Sequence, residues 1–268
     1  MEIRNADKLI VKISELVKNL KEIEDGITDI SYIDWVKPSN LLPLVVAANT
    51  KNLKLTYAGK SAEIRAYLRA IGFPTGTLPT GSRIKKGLLP ITKLPCEDVR
   101  LLTAYEEKVL KCVAEKYRSN FLQTLKYSTS ELLANIKEHA KIDSYWIFAQ
   151  CWSKNICEIC IADAGIGYKK SYEGTRFAAT THEMAIVNAM DGKSSKSDTE
   201  RGTGLRSIIK LVTESNGEIG IMSGDAFISI TKNKIVPFRL PLQWKGSLIS
   251  LKLELKNIGN FYDCLRNI

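Results

Sequence analysis

In the stretch "ELLANIKEHA", Glu131, Asn135 and Glu138 stand at i, i+4 and i+7. A helix through this stretch puts a carboxylate, an amide and a second carboxylate on one face, with His139 beside them. A carboxylate and an amide oxygen one turn apart suit a hard cation. Mg²⁺ takes oxygen ligands, keeps several waters and binds through few protein groups plus substrate phosphates. A neutral Asn ligand leaves cation charge for phosphate to satisfy, and a carboxylate one turn away can orient a water.

Two further stretches add to this. "DAGIG", Asp163 to Gly167, follows an apolar run that reads as a strand. A carboxylate at the end of a buried strand is costly unless paired, and an exocyclic amine is a donor that suits it. Gly165 and Gly167 are expected to let the backbone pass close to a flat ligand. "RGTGL", Arg201, Gly202, Thr203, Gly204 and Leu205, precedes a helical pattern. Free N–H groups and the dipole of a helix N-terminus favour phosphate, and Arg201 with Lys193 or Lys196 adds positive charge. Each stretch alone is common; together, in this order, they point to a nucleotide site.

The elements that must position these residues follow from pattern. Apolar residues at helical spacing run through residues 3–24, "PSNLLPLVVAANTK" reads as a buried helix, and "SAEIRAYLRAIGF" reads as an amphipathic one with a Ser cap. "ITDISYI" and "LKLTYAG" read as strands between them. In the buried helix, Ser39 or Asn40 is the expected cap, and Pro43 predicts a late start or a place in the first turn. Residues 74–96 hold four of the eight prolines and read as a linker with a short strand at "LLPITKL". A long helix is expected over 97–127, then the "TSELLANIKEHA" helix and strands at "SYWIFAQCW" and "ICEICIAD". A polar segment over 165–204 is interrupted by a helix at "THEMAIVNAM". "GLRSIIKLVTES" is a helix, "GEIGIMSG" and "AFISITKN" read as a hairpin, and "GSLISLKLEL" closes the order. This is an α+β two-layer sandwich rather than βαβ alternation.

The formal net charge is +10, shared evenly between residues 1–100 and the rest, with no run of five basic residues. Direct nucleic-acid binding is not indicated. No apolar stretch is long enough for a membrane span, and the N-terminus lacks a signal-peptide core, so a cytoplasmic location is expected. The six cysteines are then expected as thiols. Cys157 and Cys160 have CxxC spacing, but on a strand residues three apart face opposite ways and cannot share a ligand.

The three stretches, over about residues 97–256, resemble the boxes of the GHKL superfamily (Bergerat fold) of histidine-kinase-like ATP-binding domains. That superfamily includes DNA gyrase, sensor histidine kinases and anti-sigma-factor kinases. The resemblance implies ATP and Mg²⁺ as ligands, Asn135 as the Mg²⁺ ligand through the phosphates and Glu131 as general base. It places Asp163 on the adenine amine and "RGTGL" beside the phosphates. "WKGSLISL" is similar to the closing strand, with Ser247 assisting Asp163. Glu138 departs from the Asp found in many members. Residues 168–200 correspond to the ATP lid, expected to bury little. Residues 1–73, chiefly 27–73, are similar to a STAS-like α/β domain, in which Ser39 falls near a phosphorylated position; the plain alternative for Ser39 is a helix cap. The expected domains are therefore 1–73, a linker over 74–96, and an ATPase over 97–268. The implied activity is an ATPase whose lid closure or homodimerisation on ATP binding switches an unidentified protein partner or the first domain. The alternative is a serine/threonine kinase of the anti-sigma-factor type. A conventional histidine kinase fits less well, because the only histidines are His139, within the box, and His182.

Overall fold

The computed structural model describes residues 2–30, 36–57, 61–77, 88–152, 155–193 and 203–266, with side chains from residue 13 onward. Helix α1 (Glu2–Glu24) turns Leu16, Leu20 and Ile23 inward at helical spacing. Strand β1 (Asp29–Ile30) pairs in parallel with β2 (Thr56–Tyr57), and α2 (Pro38–Thr50) lies between them in the chain. Helix α3 (Ala62–Ala70) starts on the expected cap, with the Ile64 N–H donating to Ser61 Oγ at 3.2 Å.

Helix α2 departs from expectation at its start. It begins early, at Pro38, whose fixed φ suits the first helical position. The cap residue is Lys37, whose side chain makes no capping bond, and neither Ser39 nor Asn40 caps. Instead Glu158, from a strand far along the chain, accepts the Ser39 N–H at 2.9 Å. Pro43 stays inside the helix, where it removes one backbone donor.

Five strands form one antiparallel sheet in the order β3-β4-β5-β7-β6. They are β3 (Thr92–Pro95), β4 (Ser144–Trp152), β5 (Ile156–Asp163), β6 (Glu218–Thr231) and β7 (Lys234–Glu254). The helices of this part are α4 (Val99–Cys112), α5 (Arg118–Asn135), α6 (Gly167–Ser171), α7 (His182–Met190), α8 (Gly204–Glu214) and α9 (Phe261–Leu265). An α+β sandwich results, with Phe121, Leu125, Leu132, Ile208 and Val212 packed on one sheet face.

The other face is covered by α1, α2 and α3. Leu41, Leu42, Val45, Leu68 and Ile71 share a core with Trp146, Phe148, Cys160, Ala162 and Leu248 of the sheet. The first 73 residues thus add a third layer to the expected two. Between them and the sheet, the proline-rich segment supplies β3 as an edge strand, with Ile91 and Leu94 fully buried.

Two element boundaries differ from the sequence reading. The helix expected over 97–127 breaks after Cys112: Val113 is extended and buried, a 3₁₀ turn follows over Glu115–Tyr117, and α5 runs unbroken to Asn135. The hairpin expected from "GEIGIMSG" and "AFISITKN" is one strand, β6, irregular between Met222 and Ala226. It pairs along its length with β7, whose first half holds Pro237 and Pro241. Proline is tolerated there because this half pairs with β6 alone, leaving its other edge free.

Candidate functional site

Helix α5 does not end as an α-helix. From Ile136 to Ala140 it widens into a π-helical turn, closed by Lys141 at φ 55°. Such turns reset the angular register of a helix. Glu131 and Asn135 stand on the α-helical part, one turn apart, while Glu138 and His139 ride on the π turn. The regular i+7 relation of Glu138 to Glu131 is therefore altered, yet all four line one cleft of about 330 Å³. That volume lies within the range of small-ligand pockets, about 300–1,000 Å³.

The opposite wall comes from the ends of β5 and β7. Asp163 is the last residue of β5 and sits directly across from Ser247. The Gly165 N–H donates to Asp163 Oδ1 at 2.8 Å, and the Ser247 hydroxyl donates to Oδ2. Asp163 is 1% exposed. Burial raises its carboxyl above the usual range, and the bonds from Ser247 and Gly165 pull it back. Each oxygen keeps acceptor capacity for a donor entering the cleft.

Glycines hold the two walls together. A Cβ on Gly165 would overlap the Ala140 carbonyl and methyl at the end of the π turn. There the Ile166 N–H donates to the Ala140 carbonyl at 3.2 Å. The Gly165 hydrogen therefore makes room for protein backbone, not for a flat ligand. Gly167, at φ +73°, packs against Ser223 and the Gly246 carbonyl. Ser223 donates to Gly246 O at 2.8 Å and accepts the Tyr168 N–H at 3.2 Å.

Gly204 begins α8, and a Cβ there would overlap the Glu131 carboxylate. Glu131 thus rests against the first residue of that helix. Burial, then the charge of Glu138, raises its carboxyl above the ordinary glutamate value.

Of the residues singled out in sequence, Glu131, Asn135, Glu138, Asp163, Gly167, Gly204, Leu205 and Ser247 line the cleft. Gly165 and Thr203 do not: the first is structural, and the second is an exposed residue preceding α8. Arg201, Gly202 and Lys196 lie outside the described residues. His139 and Lys193, also named from the sequence, line it too, and the cleft further gathers Tyr168, Ser171 and Tyr172. Lys193 Nζ donates to Asn188 Oδ1 at 2.9 Å and pairs with Asp191 at 3.3 Å, while Tyr172 donates to the Lys193 carbonyl at 2.6 Å. Nothing in sequence marks the tyrosines, since they stand in a polar segment without strand or helix periodicity.

The described part of 168–200 corrects the expectation that this segment buries little. Tyr172, Ala185, Ile186 and Asn188 are buried, and α7 packs against β6. Thr181 caps α7 through the Met184 N–H at 3.0 Å.

Glu131, Asn135 and Glu138 offer oxygen donors that fit a hard cation at one end of the cleft. Among the described residues no three His, Cys, Asp or Glu side chains converge into a metal cage. A cation there would need ligand oxygens to complete its shell, as Mg²⁺ does on phosphates. Comparison with protein-family models, curated proteins and solved structures finds no match.

Proposed function

We propose that this chain is a Mg²⁺-dependent ATP-binding protein of the GHKL type that hydrolyses ATP. One observation carries the reading. Three stretches widely separated in sequence converge on one cleft, which holds the buried Asp163 carboxylate, the Glu131–Asn135 pair and the start of α8.

In this reading Asp163, braced by Ser247 and Gly165, accepts a hydrogen bond from the exocyclic amine of adenine. Asn135 would hold Mg²⁺, which when bound would neutralise phosphate charge. The N–H groups at the start of α8 and Lys193 face phosphate oxygens. Glu131 takes the proton from the attacking water, a role that its burial favours by bringing its affinity for protons closer to working pH. Nucleotide-dependent rearrangement or homodimerisation then acts on a protein partner, or through the sheet on residues 1–73. No helix among the described residues is long and apolar enough to cross a membrane.

Isothermal calorimetry of the full chain with ATP, with and without Mg²⁺, tests the reading. The wild-type chain is expected to bind ATP, and Asn135→Ala to lose the Mg²⁺-dependent part of that affinity. No heat with any adenine nucleotide would overturn it. If phosphate appears on an added protein rather than in solution, the enzyme is a protein kinase using the same cleft.

A further inference from the structure

The CxxC pair separates as its strand position requires. Cys157 faces the core formed with α4, α5 and α8, and Cys160 faces the core formed with α1, α2 and α3. The sulfur next to Cys157 is instead that of Cys151, its direct partner across the β4–β5 hairpin, with Sγ–Sγ at 2.9 Å.

We propose that Cys151 and Cys157 form a dithiol that a disulfide oxidant of the glutathione type converts into an intramolecular disulfide. Direct partners on antiparallel strands have Cα atoms about 4.5 or 5.5 Å apart. Both spacings lie in the roughly 4.4–6.8 Å window that a disulfide needs, so the bond closes by side-chain rotation without strand movement. The two sulfurs already touch, so each is the other's nearest reaction partner.

Access sets the order of steps. Cys157 is fully buried and Cys151 is half-buried, at the end of β4 beside the hairpin turn. The Cys151 thiolate attacks one sulfur of the oxidant, which releases one thiolate and leaves a mixed disulfide on Cys151. The Cys157 thiol gives its proton to that thiolate, and its sulfur attacks Cys151 Sγ and expels the second small group as a thiolate, which takes up from water the proton that Cys151 released on ionising. Two electrons pass from the protein to the oxidant, one protein disulfide forms, and two small thiols leave. Burial pushes the Cys157 thiol well up, so the second step is the slower one. Cys112, itself pushed up to about 11 by burial, is the competing thiol within electrostatic reach of Cys151. The pair lies at the end of β5 opposite Asp163, so the inference stands apart from the nucleotide reading.

The test uses the reduced full chain in native buffer with glutathione disulfide, followed by alkylation, intact mass and peptide mapping. Two of the six thiols are expected to disappear together, with loss of two hydrogens from the mass and a linked peptide joining Cys151 to Cys157. Cys157→Ser is expected to stop at a glutathione adduct on Cys151, and Cys151→Ser to leave Cys157 unreacted. A Cys112–Cys151 link, a persistent glutathione adduct on the wild-type chain, or six thiols retained while a control dithiol peptide is oxidised would each overturn the proposal.

Discussion

Asp163 and Ser247 are joined by both register and chemistry: they are direct partners across β5 and β7, and the hydroxyl donates to the carboxylate. This bond favours the ionised form that burial disfavours. If Asp163 receives the adenine amine, binding must fade as pH falls through the Asp163 titration. Ser247→Ala removes a donor to the anion, so the carboxyl rises further and the midpoint of binding loss moves to higher pH. At neutral pH Asp163→Asn, which removes the charge-assisted bond to the amine itself, worth about 1.5–3 kcal/mol, should weaken affinity roughly tenfold or more. Calorimetry across pH checks both; an unmoved midpoint in Ser247→Ala would remove Asp163 from the binding role. Glu131 makes the complementary case. If Glu131 lies beside the phosphates, as proposed, Glu131→Gln is expected to bind ATP within a few fold and to lose turnover by about 10²-fold or more, the usual range for a general base. Single-turnover kinetics with the bound nucleotide separate the two effects.

At the scale of elements, two glycines that look alike in sequence do different work. Gly165 abuts backbone: the carbonyl and methyl of Ala140, fixed by the π turn. Gly204 abuts only the end of a flexible side chain, the Glu131 carboxylate. Gly165→Ala is therefore expected to destabilise the fold by about 1–3 kcal/mol, as overpacking does. Gly204→Ala should leave the melting temperature nearly unchanged, because Glu131 can move aside, and should lower turnover because it has moved. Thermal melts paired with phosphate-release assays distinguish them; equal destabilisation by both would contradict this assignment. The contrast also marks how far the sequence could be read. The residue types along Glu131–Glu138, the strand before Asp163 and the helix after Gly204 were legible because local periodicity and chemistry agree there. The π turn was not, since nothing in "IKEHA" distinguishes it from α-helix. The Glu158 bond to Ser39 was equally hidden, because it spans 119 positions and no local pattern records it. Similarly, the hairpin expected from "GEIGIMSG" and "AFISITKN" divides β6 beside Gly224. Its positive φ instead accommodates an irregularity in one strand, against the His182 ring.

For the molecule as a whole, β5 is the shared element. Its alternate residues serve two cores: Cys157, Ile159 and Ile161 face the helices beside the cleft, and Cys160 and Ala162 face the N-terminal helices. Glu158, 4% exposed, reaches into the N-terminal layer, and Asp163 ends the same strand in the cleft. Residues 1–73 therefore complete the sheet's second face. Removing them would uncover Trp146, Phe148, Cys160, Leu240, Leu242, Trp244 and Leu248, a contiguous apolar surface of the kind that drives association. A chain starting at residue 88 keeps β3 and every element that lines the candidate cleft. It is nonetheless expected to aggregate, or to bind a hydrophobic dye strongly and melt at lower temperature than the full chain. Glu158→Ala is the milder version: it leaves the Ser39 N–H without its acceptor, at a cost of about 1–3 kcal/mol if that group stays buried. Size-exclusion chromatography and denaturant titration measure both. A truncated chain that stays monomeric, unfolds at the full-length midpoint and binds no dye would show that the two parts are independent domains, with residues 1–73 only resting on the sheet. One cooperative transition in the full chain, lost on truncation, would mean that whatever displaces the N-terminal layer also loosens the strand that carries Asp163.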